Sequence, residues 1–440
     1  MDLFLLPRFK GILVMFIMLL GFQGVSVAQQ LARDTLSLTL KDAEALFLKN
    51  NMTLIAQHYN IDIAQAQVIT ARLFQNPQFD YANIFYNPVS KKYLDLSQKN
   101  EDNTFNGEYS AGISQLFLTA GKRNKNIRLA KIGVEQATYQ FFDLLRTLRF
   151  TLRSDFFSIH FQQESEKVYN QEITSLKKIL TAFKEQYGKG YISEKEVLRI
   201  QSQLYSLQTE YNSLLLNIES TQAEFKLLIK ANPNVEIKTS YNYNLDEKEA
   251  LAAVSYKTLL DSANTNRTDL KIAQANMKFN DMNLKVQKAL AWPDITLSAS
   301  FDKYGSYVTN YNSIGIAFPL PVFNRNQGGI RQAKIAIDQG KVQYQQQQQQ
   351  VESDVATSYT SAVRLEQLCN NFDSKFRQDY TKLIQEVVKN YLARNIGLLD
   401  FLNFYDDYKN NTLLFNGALS DRVTALETLN FVTGTPFFNN

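Results

Sequence analysis

One helical pattern runs from about Lys122 to Tyr187, and at 1.5 Å per residue it is on the order of 100 Å long. No compact globular domain has use for a helix of that length. Its later turns place apolar residues at Ile173, Leu176, Leu180, Phe183 and Tyr187. After a break the series resumes at Val197, Ile200, Leu204, Leu207, Tyr211, Leu214 and Ile218. Strict alternation of three and four is heptad spacing, which belongs to helices packed lengthwise on one another. The glutamine tract 345–350 falls between Val342 and Val351 in a second such pattern. Glutamine is a good helix former, so the tract reads as helix rather than as a low-complexity linker.

The chain repeats itself. "QNPQFDYANIFY" at 75–86 corresponds to "AWPDITLSASFDKY" at 291–304, and "YSAGISQLFLTAGKRNKNIRLAK" from Tyr109 to "NSIGIAFPLPVFNRNQGGIRQAK" from Asn312. A long helical pattern follows each, interrupted by "YGKGYISEKEVL" from Tyr187 or by "YLARNIGLLDFLNFY" from Tyr391. Two repeats follow, 29–235 and 236–440. The first is a helix, a β-hairpin at 79–117 and long helices over 120–230. The second is a helix, a β-hairpin at 294–318 and long helices over 327–432.

The strands change the period from heptad to two. Tyr109, Ala111, Ile113 and Phe117 share one face and Ser110, Gly112 and Ser114 the other; Ile295, Leu297, Ala299 and Phe301 oppose Thr296, Ser298, Ser300 and Asp302. Apolar out and small or polar in is the pattern of a membrane β-barrel. Pro77 and Pro293 turn helix into strand, because the residue before proline avoids the α region. Pro319 and Pro321 lack a ladder donor and end the last strand. Four strands cannot close a barrel, and open edges are not tolerated in hydrocarbon. The strands must be shared: two chains would fill the interior with side chains, whereas three, giving about twelve strands, leave a lumen.

Export is written at the N-terminus. Arg8 and Lys10 precede an apolar run at 12–20, followed by Ser26-Val27-Ala28. This is the layout of a cleavable signal peptide over 1–28, whose apolar run is too short to span a bilayer. Of the 440 residues, 47 are basic and 43 acidic, giving a net charge of +4 with no basic patch, so nucleic acid is not an expected partner. Cys369 is the only cysteine, so no disulfide forms within the chain.

Catalytic constellations are missing from the sequence. His58 and His160 are far apart and read as helix-surface or packing residues. In "TAGKRN" the phosphate-loop pattern fails, with Leu116 at the first glycine position and Arg123 where serine or threonine belongs. Neither an enzyme nor a cofactor is expected. The structural rival is an exported coiled-coil scaffold or adaptor that never enters the membrane. It accounts for the heptads and the signal, but not for two strand pairs flanked by prolines.

From 38 to 436 the sequence resembles the TolC-type outer-membrane efflux proteins. The resemblance rests on "LTLKDAEALFLKNNMTLIAQ", "WPDITLSASF", "GIAFPLPVFNRNQGGI", "YGKGYISEKEVL" and "ALETLNFVTGTP". It implies a mostly α fold with a membrane β-barrel: a homotrimer whose twelve-stranded barrel continues into a long α-helical coiled-coil tunnel in the periplasm. The implied role is the exit duct of a tripartite efflux pump, with a periplasmic adaptor and an inner-membrane transporter of the RND or a related type as partners. It also implies an aperture at the tunnel mouth. Asp400 matches the first acidic position there, Asn403 stands in place of the second, and Glu196 is the counterpart in the first repeat. Tyr187, Gly188, Lys189 and Gly190, with Arg394 and Gly397, match the adaptor-docking tips, although Ala393-Arg394-Asn395 departs from the pattern. The wording at 323–328 is nearest to the heavy-metal cation efflux branch.

Overall fold

A computed structural model describes residues 34–88, 90–96, 107–241, 251–304, 308–372 and 374–438; the expected signal peptide lies outside them. Strand β1 (Thr35–Leu38) leads into helices α1 (Leu40–Asn50) and α2 (Met52–Arg72). Strands β2 (Gln78–Asn83), β3 (Tyr86–Asn87), β4 (Lys92–Tyr93) and β5 (Tyr109–Phe117) come next, then helices α3 (Lys122–Gly188) and α4 (Glu194–Ile229). The second half runs β6 (Glu236–Thr239), α5 (Tyr256–Asn266), α6 (Thr268–Leu290), β7 (Ile295–Tyr304), β8 (Thr309–Ala317), α7 (Gln327–Asn370), α8 (Ser374–Leu392) and α9 (Leu398–Thr433).

Four of the strands form one antiparallel sheet in the order β2-β5-β7-β8. Its register puts Phe79 opposite Ile113, Ile113 opposite Ala299, and Ala299 opposite Ile314, so one face is continuous across all strands. The helices that feed the strands keep the same lateral order: α2 packs on α3, α3 on α6 and α6 on α7. Sheet and helical layer are therefore two stretches of one wall, edged by β2 with α2 on one side and by β8 with α7 on the other.

At the junctions, side chains take over the hydrogen bonding that the backbone cannot complete. Helix α3 begins after Ala120 and Gly121, both at positive φ, and α7 after Asn326, also at positive φ. Lys122 at the start of α3 donates to the Trp292 carbonyl just beyond α6 (2.7 Å), and Arg123 donates to the Arg72 carbonyl at the end of α2 (2.9 Å). Basic groups on orphan helix-terminal carbonyls are a recurrent capping solution. In the second half, Asn326 Nδ2 donates to the backbone carbonyl of Gln287 at 2.8 Å.

Three apolar clusters hold the helices. One joins α1, α3, α4, β6 and α9 around Phe47, Phe156, Phe157 and Phe225. A second fills the space between the far ends of α3, α4, α8 and α9. The third joins α5, α7 and α9. The heptad residues Ile173, Leu176, Leu180, Val197, Ile200, Leu204 and Leu207 are all buried in the second cluster, and the glutamine tract lies within α7.

Three local expectations need correction. The segment before the first helix is a strand, β1, pairing in parallel with β6. Leu38 closes that strand, and Thr39 starts the helix through a capping box with Asp42. Four residues of strand carry too short a period to be legible, and their partner lies on the far side of the long helices. The antiparallel pairing expected over 79–117 is present as β2–β5, but its connection carries a further ribbon, β3–β4, that the sequence reading lacked. The long helical run over 327–432 also stops at Asn370, well before the tip. There Asn371 donates to the Gln367 and Leu368 carbonyls, and Phe372 turns onto Phe415, with ring centroids 5.0 Å apart.

Candidate functional site

The sheet presents two chemically distinct faces. On one lie Phe79, Tyr81, Ala111, Ile113, Leu297, Ala299, Ile314 and Ile316; on the other lie Asp80, Ser110, Gly112, Ser114, Ser298, Ser300, Gly315 and Ser313. Ile314 is 92% exposed and Phe79 70% exposed, so the apolar face is bare in the single chain. Among the described residues no helix is long and apolar enough to cross a membrane. The polar face is lined with hydroxyls, and Ser300 and Ser313 bond across the β7–β8 pair at 2.7 Å. Pro77 lies just before β2, Pro293 just before β7, and Pro319 and Pro321 just after β8, at the places where strand and helix exchange.

At the other end of the long helices the two breaks are the same turn. Gly190 N–H reaches the Tyr187 carbonyl (2.9 Å) and Tyr191 N–H the Gln186 carbonyl (3.0 Å). Arg394 N–H likewise reaches the Tyr391 carbonyl (3.0 Å) and Asn395 N–H the Asn390 carbonyl (2.8 Å). Arg394 therefore occupies the site of Gly190 and adopts φ 63°, against 74° for the glycine. The unusual Ala393-Arg394-Asn395 sequence leaves the turn intact. Gly188 and Lys189 close the end of α3, and Gly397 is the N-cap of α9. The two tips touch: Arg394 Nη2 donates to Gln186 Oε1 at 3.1 Å, and Phe183 stacks on Tyr391, which stacks on Phe401 at 4.3 Å.

Glu196 and Asp400 occupy the same position, the third residue of α4 and of α9. Carboxylates in a first turn are favoured by the helix dipole. Their surroundings differ. Glu196 Oε2 accepts from the Ser193 backbone N–H (3.0 Å) and hydroxyl (3.1 Å), completing a capping box. Asp400 follows a glycine cap that offers it no side chain, and it is exposed, as is Asn403 one turn further on.

Sequence reasoning missed a polar network higher on the same helices. Glu172 (α3) is 3% exposed and Lys409 (α9) 5% exposed. Lys409 Nζ lies 2.7 Å from Glu210 Oε2 of α4, and Gln203 donates to Asp406 at 2.7 Å. Burial pushes the Glu172 carboxyl up to about 8, with Asp406 and Glu210 adding to the rise and Lys409 opposing it. Glu172 and Glu210 each precede a heptad residue, Ile173 and Tyr211, so the apolar series itself gave no signal for them. The histidines are packing and surface groups: His160 is buried edge-on against Phe161 and Tyr241, and His58 lies exposed beside Asp62. Among the described residues no cluster of His, Cys, Asp and Glu could hold a metal ion.

Comparison with known proteins agrees with this architecture. The chain is similar to the cobalt-zinc-cadmium resistance protein CzcC of Cupriavidus metallidurans, with 23% identity over 323 residues, 73% of this chain and 72% of that one. Its fold matches the crystal structure of the Campylobacter jejuni outer membrane channel CmeC with a TM-score of 0.70 at 16% identity, covering 90% of this chain and 86% of that one. CusC, solved in a study of folding and transmembrane channel formation, also matches with a TM-score of 0.70, at 15% identity and covering 90% and 92% of the two chains. Residues 45–229 and 259–434, the long helices of both halves together with the sheet, match the outer membrane efflux protein family, and the chain belongs to that family.

Proposed function

We propose that the chain is the outer-membrane exit duct of a tripartite efflux system, a passive channel rather than an enzyme, formed by a closed homotrimer. The observation that carries this reading is the shared lateral order of strands and helices in a wall with two unpaired edges and one apolar sheet face. Three chains of four strands each would make a barrel of about twelve, wide enough for a lumen. Edge β2 with α2 meets edge β8 with α7 of the next copy, a head-to-tail contact that closes a ring. The helix edges suit this contact: α2 exposes Ile55, Tyr59, Ile63 and Ile69, and α7 exposes Ile335 and Val342. In this arrangement the apolar face meets outer-membrane lipid and the hydroxyl face lines the lumen. The two halves act as tandem repeats, each supplying two strands and one tip, and export proceeds by the N-terminal signal.

The tips at 187–190 and 394–397 receive a periplasmic adaptor, which links the duct to an inner-membrane transporter of the RND or a related type. Asp400, exposed and uncapped, supplies the charge at the tunnel mouth, with Asn403 beside it and Glu196 serving chiefly as a cap. A ring of three such carboxylates favours cations. The wording at 323–328 and the likeness to a cobalt-zinc-cadmium resistance protein support metal cations as cargo.

Detergent extraction of the outer-membrane fraction, followed by native mass determination, tests the assembly. A mass of about three mature chains is expected. A detergent-independent soluble monomer would instead support the periplasmic scaffold. For the cargo, deletion in a strain lacking redundant exporters lowers tolerance to divalent or monovalent metal ions; unchanged tolerance rejects the metal assignment.

A further inference from the structure

Where α9 lies against the α3–α4 pair, a group of charges interrupts an otherwise apolar seam, with Glu172 and Lys409 buried and Glu210 and Asp406 at its partly exposed margin. Below it, toward the tips, are Leu176, Ile179, Leu180, Ile200, Phe401 and Leu402. Glu172 projects into the seam from α3, and its Oε1 has no hydrogen-bond partner although it is shielded from solvent. From α4 comes Glu210, whose carboxylate takes Lys409 Nζ at 2.7 Å and the Tyr169 hydroxyl of α3 at 3.4 Å. From α9 come Tyr405, whose hydroxyl donates to the Glu172 backbone carbonyl at 3.2 Å, together with Asp406 and Lys409. Tyr211 of α4 bonds to Glu166 of α3 at 3.0 Å on the flank of the group. Helix α8, packed on α9, brings Tyr380 against Tyr408 with ring centroids 5.9 Å apart.

The charges do not balance if every acid is ionised. Glu172, Glu210 and Asp406 share one ammonium, Lys409, and that ammonium is already bonded to Glu210. A buried carboxylate with an unmade hydrogen bond and no ion of its own is tolerated only in its neutral form. We propose that Glu172, with Lys409, Glu210 and Asp406, is a proton-responsive latch that holds α9 to the α3–α4 pair, so that the seam above the tips tightens in acid and loosens in alkali.

The sign follows from linkage. Burial first, then the neighbouring acids, raise Glu172 from the ordinary glutamate range to about 8, and Asp406 shifts in the same direction. A carboxyl that holds its proton more tightly in the closed seam than in an open one favours closure at low pH and loses that preference as pH rises through the closed-state value. Above about 8, Glu172 carries a charge that the seam cannot solvate, and separation of α9 from α3 lets water reach it. The device responds to the proton concentration of the compartment around the helices, independently of any cargo.

The test is a spin-label distance between Lys178→Cys on α3 and Asn410→Cys on α9, both exposed, in the full-length assembly with Cys369→Ser. The expected distance lengthens as pH is raised between the ordinary glutamate range and about 8. Glu172→Gln, which copies the protonated form without a titrating group, keeps the short distance throughout the range and retains the wild-type helix signal in circular dichroism. A wild-type distance that does not move with pH overturns the latch, and so does an unaltered transition in Glu172→Gln. The readout does not depend on conduction, so failure of the latch and failure of the efflux-duct reading remain distinguishable.

Discussion

Lys122 and Asp294 are 172 positions apart in sequence, yet Lys122 Nζ sits 2.7 Å from Asp294 Oδ1 at the point where the sheet meets the long helices. The lysine is 4% exposed. The same Asp294 oxygen accepts from the Thr119 N–H at 2.9 Å, so the start of α3 in one half is tied to the start of β7 in the other. Lys122→Met keeps the apolar stem and removes the ammonium, so the partly buried Asp294 carboxylate keeps the Thr119 N–H but loses its counter-charge, and the Trp292 carbonyl loses the lysine donor. A loss of about 2–3 kcal/mol is expected, toward the lower end for a broken buried pair because Asp294 keeps some solvent. Chemical denaturation of the detergent-solubilised protein measures it, and an unchanged midpoint would mean that the junction does not depend on this pair.

Adjacent residues on β8 distinguish a barrel wall from a soluble sheet. Ile314 lies on the apolar face and Ser313 on the hydroxyl face. Lysine toward lipid costs about 2–4 kcal/mol at the bilayer midplane, whereas a lumen position tolerates it. Ile314→Lys should therefore deplete the outer-membrane fraction while Ser313→Lys still assembles and shows altered ion selectivity in planar bilayers. Equal assembly of the two variants would remove the lipid-facing assignment.

The two tips take reverse substitutions with effects of opposite sign. Arg394 holds φ 63°, a conformation that costs an L side chain roughly 1–2 kcal/mol and a glycine little. Arg394→Gly gives up one exposed bond to Gln186, so a net gain of about 1 kcal/mol is expected. Gly190→Ala, at φ 74°, should cost about 1 kcal/mol by the same reasoning. Thermal melting reads both. A destabilised Arg394→Gly would mean that its contact with Gln186 outweighs the backbone strain.

The acid limb of stability has the opposite sign to the Glu172 latch. Burial disfavours the charged form of Asp269, but its hydrogen bonds to Arg267, the charge of that guanidinium and that of Arg146 outweigh burial and hold the carboxyl below the ordinary aspartate range. Arg267 also reaches Asp354 at 2.8 Å, so one buried guanidinium joins α6 to α7. A depressed carboxyl contributes stability above its unfolded-state value and loses it as pH falls through the folded-state one. Melting temperature should drop between about pH 4 and pH 2. Asp269→Asn should lower it at neutral pH, by the equivalent of about 2 kcal/mol, and flatten the acid limb. An acid limb identical to the wild type would exclude this network as its source.

The sequence by itself determined whatever is periodic and local. Heptads from Ile173 to Ile218 specified long paired helices, because each apolar residue declares its face through the 3.5-residue repeat alone. The alternation in β5 and β7 specified which side chains share a face, and that division stands in the observed register. Prolines 77, 293, 319 and 321 marked the exchange of strand and helix through their own backbone chemistry. The first helix break was also legible, since Gly188 and Gly190 two positions apart interrupt a helical pattern. Long-range pairing decided the remainder. That β1 joins β6, that β5 lies beside β7, and that Arg394 takes the conformation of Gly190 depend on partners many residues away, and no local period records them. Tertiary structure alone separated Glu196, bound to its own cap at Ser193, from Asp400, left exposed behind Gly397. It also brought Glu172, Glu210 and Lys409 into one seam, because the chemistry of a buried charge is set by its neighbours in space rather than in sequence.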